Sequence, residues 1–288
     1  MVLLTSLLAV TAPVRPFLDP RSVTLVAVPL AAGLAIVAAL EGRRVHVARV
    51  ELTLPKLPRA LDGFSLVQLS DVHLGPTVDG RFLERVVARV NALAPDAVVV
   101  TGDLIDARVE QLRDDVAPLR SLTSRFGTFF VTGNHEYFAG PAEWCEHLTS
   151  LGVRVLRNEL VKLERDGAVL QLAGADDDPA GRAEHFAEDL NAALGERDAR
   201  WPVVLLAHQP KSVHAAAKRG VDLQLSGHTH GGQLWPLGWL LRVGQPAVEG
   251  LHRFAETFLY VSRGTGHSGP PMRLGVPAEI TQLVLRAP

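Results

Sequence analysis

Eighteen consecutive residues, Val23 to Leu40, carry no charge, and charged side chains close the run at both ends: Arg21 before it, Glu41, Arg43 and Arg44 after it. As a helix rising about 1.5 Å per residue, the run spans about 27 Å, close to the hydrocarbon thickness of a bilayer. The expectation is an N-terminal transmembrane helix, with residues 1–44 as the membrane segment and residues 45–288 as the body. Two other readings fit the same residues. One is a cleaved signal peptide, with Val37-Ala38-Ala39 supplying small residues near its end; the other is a buried helix of a soluble protein. The apolar start, Met1–Ala12, is too short to cross a bilayer alone. More Lys and Arg follow the span than precede it, which favours the cytoplasmic face for the body.

Beyond residue 60 the chain has 28 Asp or Glu against 22 Lys or Arg. No basic excess is available to hold a nucleic-acid backbone, so nucleic acid is not expected as a partner. With 47% of residues hydrophobic and 21% charged, disorder is excluded and a sizeable core can form. The single cysteine, Cys145, rules out a disulfide scaffold.

Past the Pro-punctuated bridge Leu54–Pro58, short apolar runs alternate with longer amphipathic stretches, the pattern of a layered α/β domain. Strands are expected over Val45–Leu54, Ser65–Leu69, Ala97–Thr101, Thr128–Thr132, Val169–Ala173, Val203–Ala207, Asp222–Leu225, Phe258–Ser262 and Ile280–Leu285. Helices are expected over Arg81–Leu93, capped by Asp79, and over Ala142–Leu151 and Arg182–Leu194.

Polar signatures fall just past the carboxyl ends of these strands, where α/β sheets form their ligand crevices. They are Asp71-Val72-His73, Gly102-Asp103 with Asp106, Gly133-Asn134-His135-Glu136, His208, and Gly227-His228-Thr229-His230. Taken singly, the first three read better as turns or helix caps; two imidazoles among the glycines of the last motif have no evident packing purpose. Together, Asp71, Asp103, Asn134, His73, His208, His228 and His230 make seven oxygen or nitrogen donors, enough for two ions if one carboxylate bridges. The absence of thiolates excludes a Cys-type zinc site, and mixed O/N ligation suits Mn²⁺, Fe or Zn²⁺ better than Ca²⁺.

The order D-x-H, G-D-x-x-D, G-N-H-E, lone His, G-H-x-H resembles the calcineurin-like metallophosphoesterases. Thr53–Pro58, Gly133–Tyr137, Gly227–Gln233 and Tyr260–Gly266 further resemble their bacterial membrane-anchored subgroup. The resemblance implies a four-layer α/β/β/α sandwich. It also implies one ion on Asp71, His73, Asp103 and His230 and a second on Asp103, Asn134, His208 and His228, with Asp103 as bridge. The implied reaction is direct attack on phosphorus by a hydroxide shared between two divalent metals. His135 is then the proton donor or charge stabiliser for the leaving oxygen, and Asp106 holds its tautomer. Asp106 is followed by Ala107-Arg108, a departure from the phosphoprotein phosphatase branch, so a phosphodiester or pyrophosphate substrate is expected in preference to a phosphoprotein.

Glu136 has two readings, an assistant to His135 or, the blander and favoured one, a surface carboxylate. Arg263 has two readings, a substrate phosphate ligand or one partner of a structural ion pair. Leu234–Leu241 is unusually apolar for a loop, either a flap packed on the body or a contact for lipid or an acyl chain. A tether and an apolar loop together favour an amphiphilic substrate; the resemblance to a neighbouring branch of the family implies, as one such substrate, a lipid-linked UDP-acylglucosamine. The competing class is a membrane-tethered interaction or metal-binding protein with little or no turnover.

Overall fold

A computed structural model of the chain describes residues 19–177 and 188–288. Met1–Ala12 and the first part of the helix expected over Arg182–Leu194 lie outside the described residues.

Five strands open the body: β1 (Val45–Thr53), β2 (Phe64–Leu69), β3 (Ala97–Thr101), β4 (Thr128–Val131) and β5 (Val153–Val155). Six more follow: β6 (Glu159–Arg165), β7 (Ala168–Gly174), β8 (Val203–Leu206), β9 (Leu223–Ser226), β10 (Gly250–Phe254) and β11 (Thr257–Val261). The last, β12 (Ala278–Arg286), returns to the first group. Two six-stranded sheets result, with orders β1-β12-β2-β3-β4-β5 and β10-β11-β9-β8-β7-β6. In the first, β2 to β5 run parallel; in the second, β7, β8, β9 and β11 do. All nine expected strands form, their ends shifted by at most three residues. β5, β6 and β10 are additional.

The described helices are α1 (Pro20–Glu41), α2 (Gly80–Ala92), α3 (Val109–Val116), α4 (Asn134–Ala139), α5 (Pro141–Ser150), α6 (Leu190–Leu194), α7 (Val213–Lys218) and α8 (Gly238–Leu241). Alternation along the strands distributes side chains between two faces. Leu66, Val99 and Phe129 of the first sheet meet Leu172, Val204, Leu206 and Leu225 of the second in one buried layer. Outward residues Val67, Leu69, Val98 and Val100 pack on Leu83, Val86 and Val90 of α2, Leu112 of α3 and Trp144 of α5. On the other side Ala173, Val203 and Leu205 cover Leu190, Ala193 and Ala216 of α6 and α7. Helices, sheet, sheet and helices therefore stack in four layers.

α1 does not join this core. Among its residues Ala38 alone is buried, which rules against the reading as a core helix, and it is the one described helix long and apolar enough to cross a membrane. Its carboxyl end is tied to the body: Arg273 N–H donates to Ala38 O (2.9 Å) and Gly275 N–H to Glu41 Oε2 (3.1 Å).

Candidate metal centre

The carboxyl ends of β2, β3 and β4 in one sheet and of β8 and β9 in the other open on the same crevice. Beneath it, Gln68 Nε2–H donates both to Thr101 Oγ1 (2.8 Å) and, across the layers, to Ser226 O (3.0 Å). The backbone leaves these strands abruptly. Asp71, His73, Asp103, His228 and His230 all have φ between 51° and 72°, half of the ten non-glycine residues with positive φ among those described. L residues enter that region at a cost of roughly 1–3 kcal/mol each and remain there only where surrounding contacts hold them.

Two glycines permit the close approach. A Cβ on Gly227 would strike Ser70 Oγ and Asp71 Oδ2, and one on Gly133 would strike Asp103 Oδ1. With those positions bare, His228 N–H donates to both Asp71 oxygens (2.9 and 3.1 Å), and His135 N–H donates to Asp103 Oδ1 (2.8 Å).

Two donor groups result. Asp71, His73 and His230 form the first: His73 Nε2 faces His230 Nε2 at 2.9 Å, and His230 Nε2 lies 3.4 Å from Asp71 Oδ1. Asp103, His208 and His228 form the second, with Asn134 among them: Asn134 Oδ1 is 2.9 Å from His228 Nδ1 and 3.2 Å from His208 Nε2. Asp103 Oδ2 lies between the groups, 3.2 Å from His208 Nε2 and 3.9 Å from His73 Nε2.

The tautomers follow from the outer contacts. His208 Nδ1–H donates to Thr101 O (2.8 Å) and His73 Nδ1–H to Asp106 Oδ1 (2.7 Å). Both imidazoles thus turn Nε2 inward, where another ring nitrogen faces each: His230 Nε2, and His228 Nδ1 at 3.2 Å from His208. Two lone pairs at such distances repel unless a proton or a cation lies between them, so this donor set fits one cation in each group.

The electrostatics are those of a crowded, buried site. Burial alone would raise the Asp103 pKa, but the surrounding His208, His73 and His135 hold it far below the carboxylate range. Asp71 is pushed up by burial. Burial would lower His208, yet Asp103 raises it well above the ordinary imidazole value. Burial and the neighbouring His208 bring His228 down to about 4, and burial with His73 keeps His230 uncharged. His135 is raised by its bond to Asp106, Nδ1 to Oδ1 2.8 Å, and its side chain is one-third exposed at the rim. Asp106 thus accepts from both His73 and His135 through one oxygen.

The sequence profile of the calcineurin-like phosphoesterase family matches residues 64–232, the stretch that carries every donor just described. The chain belongs to that family. Among curated relatives of this chain, a bovine protein named "Transmembrane protein with metallophosphoesterase domain" is 44% identical over 253 residues, covering 84% of this chain and 57% of that protein. An uncharacterized metallophosphoesterase of Helicobacter pylori is 36% identical over 244 residues, covering 84% and 64%. The chain thus spans less than two thirds of the length of these relatives. Among solved structures, the Haemophilus influenzae NAD nucleotidase superposes with a TM-score of 0.51 at 18% identity, over 70% of this chain and 50% of the other, a likeness of fold.

Two residues, Glu136 and Arg273, differ from what the sequence suggests or go unmarked there, and Arg263 adopts one of the two geometries expected of it. Glu136 is not at the surface: fully buried, it accepts from the backbone N–H of Asp103 (3.0 Å), Leu104 (2.8 Å) and Gly133 (2.6 Å), clamping the β3 and β4 loops together. Burial and the nearby Asp103 push its pKa up to about 7. Arg263 takes the ion-pair geometry, its Nε 2.7 Å and Nη2 2.6 Å from the buried Glu279 Oε2. Arg273, which no motif marks, is wholly buried. It donates through Nη2 to Arg263 O (2.8 Å) and Gly266 O (2.6 Å), 3.3 Å from His230 Nδ1.

Proposed function

We propose that the chain is a membrane-anchored hydrolase of phosphate esters or anhydrides that works with two divalent cations, Mn²⁺, Fe or Zn²⁺. One is held by Asp71, His73, Asp103 and His230, the other by Asp103, Asn134, His208 and His228. The observation that carries this reading is Asp103 Oδ2, which reaches toward both groups at once, at 3.2 and 3.9 Å. When bound, such cations supply Lewis acidity for the attacking water and for the phosphoryl oxygens.

The remaining work falls to the protein. His135, whose pKa is raised by its bond to Asp106, stands at the rim as the donor of a proton to the leaving oxygen. Asp106 fixes the tautomers of His135 and His73 together. Glu136 keeps the two loops in register, so Asp103 and Asn134 hold their positions as substrate enters.

Residues 1–44 act as the membrane segment of this reading and 45–288 as the phosphoesterase domain, with the body on the cytoplasmic face. A phosphodiester or pyrophosphate joined to a lipid-like group is the substrate class it favours. The exposed apolar α1 and the 44% identical relative with "transmembrane" in its name support the anchor. Full-length protein with added Mn²⁺ is expected to hydrolyse bis(p-nitrophenyl) phosphate, and Asp103→Asn to abolish that turnover. Absence of turnover across several metals and across mono-, di- and pyrophosphate esters would overturn the proposal in favour of a tethered binding protein.

A further inference from the structure

Outside α1, eight large apolar side chains are strongly exposed among the described residues, and six of them fall in one nine-residue stretch: Trp235, Leu237, Trp239, Leu240, Leu241 and Val243. This stretch contains α8, none of whose residues is buried. It is therefore not a flap packed on the core. Trp239 is 63% exposed, Leu240 71% and Val243 91%. The indoles of Trp235 and Trp239 meet edge to face, centroids 6.2 Å apart, and the single charge from Leu234 to Gly244 is Arg242. Tryptophan, leucine and an arginine, with no acidic residue in the stretch itself and Glu249 facing the same small cavity as Arg242, are the composition of a membrane–water interface.

Position supplies the second argument. The level at which α1 leaves a bilayer is marked by Glu41, Arg43 and Arg44. Glu41 Oε2 accepts from Gly275 N–H at 3.1 Å, Ala38 O accepts from Arg273 N–H at 2.9 Å, and Gly42 fits against the Pro271 carbonyl. Leu274, between those anchors, is bridged to Leu234, and its carbonyl accepts from Trp235 N–H at 2.8 Å. Bridged strands lie about 5 Å apart. The tryptophan segment therefore starts within one strand spacing of the residues that meet the exit of α1. A protein partner would have to compete there with the lipid that α1 itself requires.

We propose that Trp235–Val243 is a second membrane anchor, inserted into the interfacial layer of the leaflet from which α1 emerges. This rests on reading α1 as membrane-embedded. Arg242 then sits among the headgroups, and the segment, joined to His230 through Gly231 and Gly232, holds the mouth of the metal site at headgroup level.

The test needs no turnover, so it is separable from the hydrolase reading. The chain has four tryptophans, Trp144, Trp201, Trp235 and Trp239, and none in α1. Full-length protein is reconstituted in vesicles of phosphatidylcholine, either plain or brominated on the acyl chains, and flotation confirms that it is bound. Brominated lipid is expected to remove about half of the tryptophan emission, since two of four indoles lie in the segment. Trp235→Phe/Trp239→Phe is expected to lose that quenching while still floating. Equal emission in the two lipids, quenching that persists in the double variant, or wild-type emission quenched by aqueous iodide in its place would overturn the proposal. Shielding from both quenchers would also overturn it, and would point to a second copy or another protein. Failure to float would refute the membrane reading of α1 itself.

Discussion

Asp103 Oδ2 has imidazole nitrogens of His208, His73 and His135 within 3.2 to 3.9 Å, whereas His135 keeps its own Nδ1 on Asp106 and stands at the edge of both donor groups. The two residues should therefore fail differently. His135→Ala is expected to lower kcat by about 10² to 10⁴-fold with metal content unchanged, as the loss of a proton donor does; elemental analysis beside kinetics checks this, and metal loss would place His135 among the ligands. Glu136→Ala is a stability lesion by comparison. It strands three buried N–H groups on the β3 and β4 loops, a cost of roughly 3 kcal/mol or more. That should appear as a melting temperature lower by about 6 to 12 °C. An unchanged melting temperature would remove Glu136 from its clamping role. Six of the seven donors are legible in the sequence because each stands at a strand end beside glycine or a second donor, as in Asp71-Val72-His73; His208, between Ala207 and Gln209, is marked only by its place at the end of an apolar strand. Glu136 and Arg273 are not legible. One closes contacts to residues 32 and 33 positions away, the other to residues across a loop that no local pattern predicts.

α2 shows how a local rule survives into the structure. Asp79 precedes it, and its Oδ1 accepts from Phe82 N–H at 2.9 Å, with Leu83, Val86 and Val90 buried behind. Asp79→Ala should cost about 1 kcal/mol, seen as a fall in melting temperature of about 2 to 4 °C with activity retained. A loss of activity would mean that α2 positions the site more directly than its packing suggests. The same scale explains which strands escape a reading of the sequence. β5, β6 and β10 all lie at sheet edges. Inner parallel strands such as β3, buried along its whole length, announce themselves as apolar runs, while β6 (ELVKLER) and β10 (GLHRF) alternate or expose charge. Edge strands face solvent and use charge to discourage further pairing, so hydrophobicity alone does not mark them.

At the scale of the molecule, the donor groups span the two sheets, and five strained backbone positions border them. Cations bound between facing imidazoles should stabilise the folded chain by mass action, about 2.7 kcal/mol at a free concentration of 100 times Kd. Thermal unfolding of chelator-treated protein, repeated with increasing Mn²⁺, is expected to show a rising midpoint, and the Asp103→Asn variant a much smaller rise. A midpoint indifferent to metal in the wild type would contradict the donor assignment.

That each cluster mixes residues of both sheets has a consequence for how the protein is made. Asp71 and His73 leave the ribosome well over a hundred residues before His230, and Asp103 likewise long before His208 and His228. Of the seven donors, the amino-terminal half then carries Asp71, His73, Asp103 and Asn134, with His208, His228 and His230 still to come. On the proposed ligand set, ion capture would be a late event of biosynthesis, and a nascent chain stalled before His208 is expected to emerge without metal.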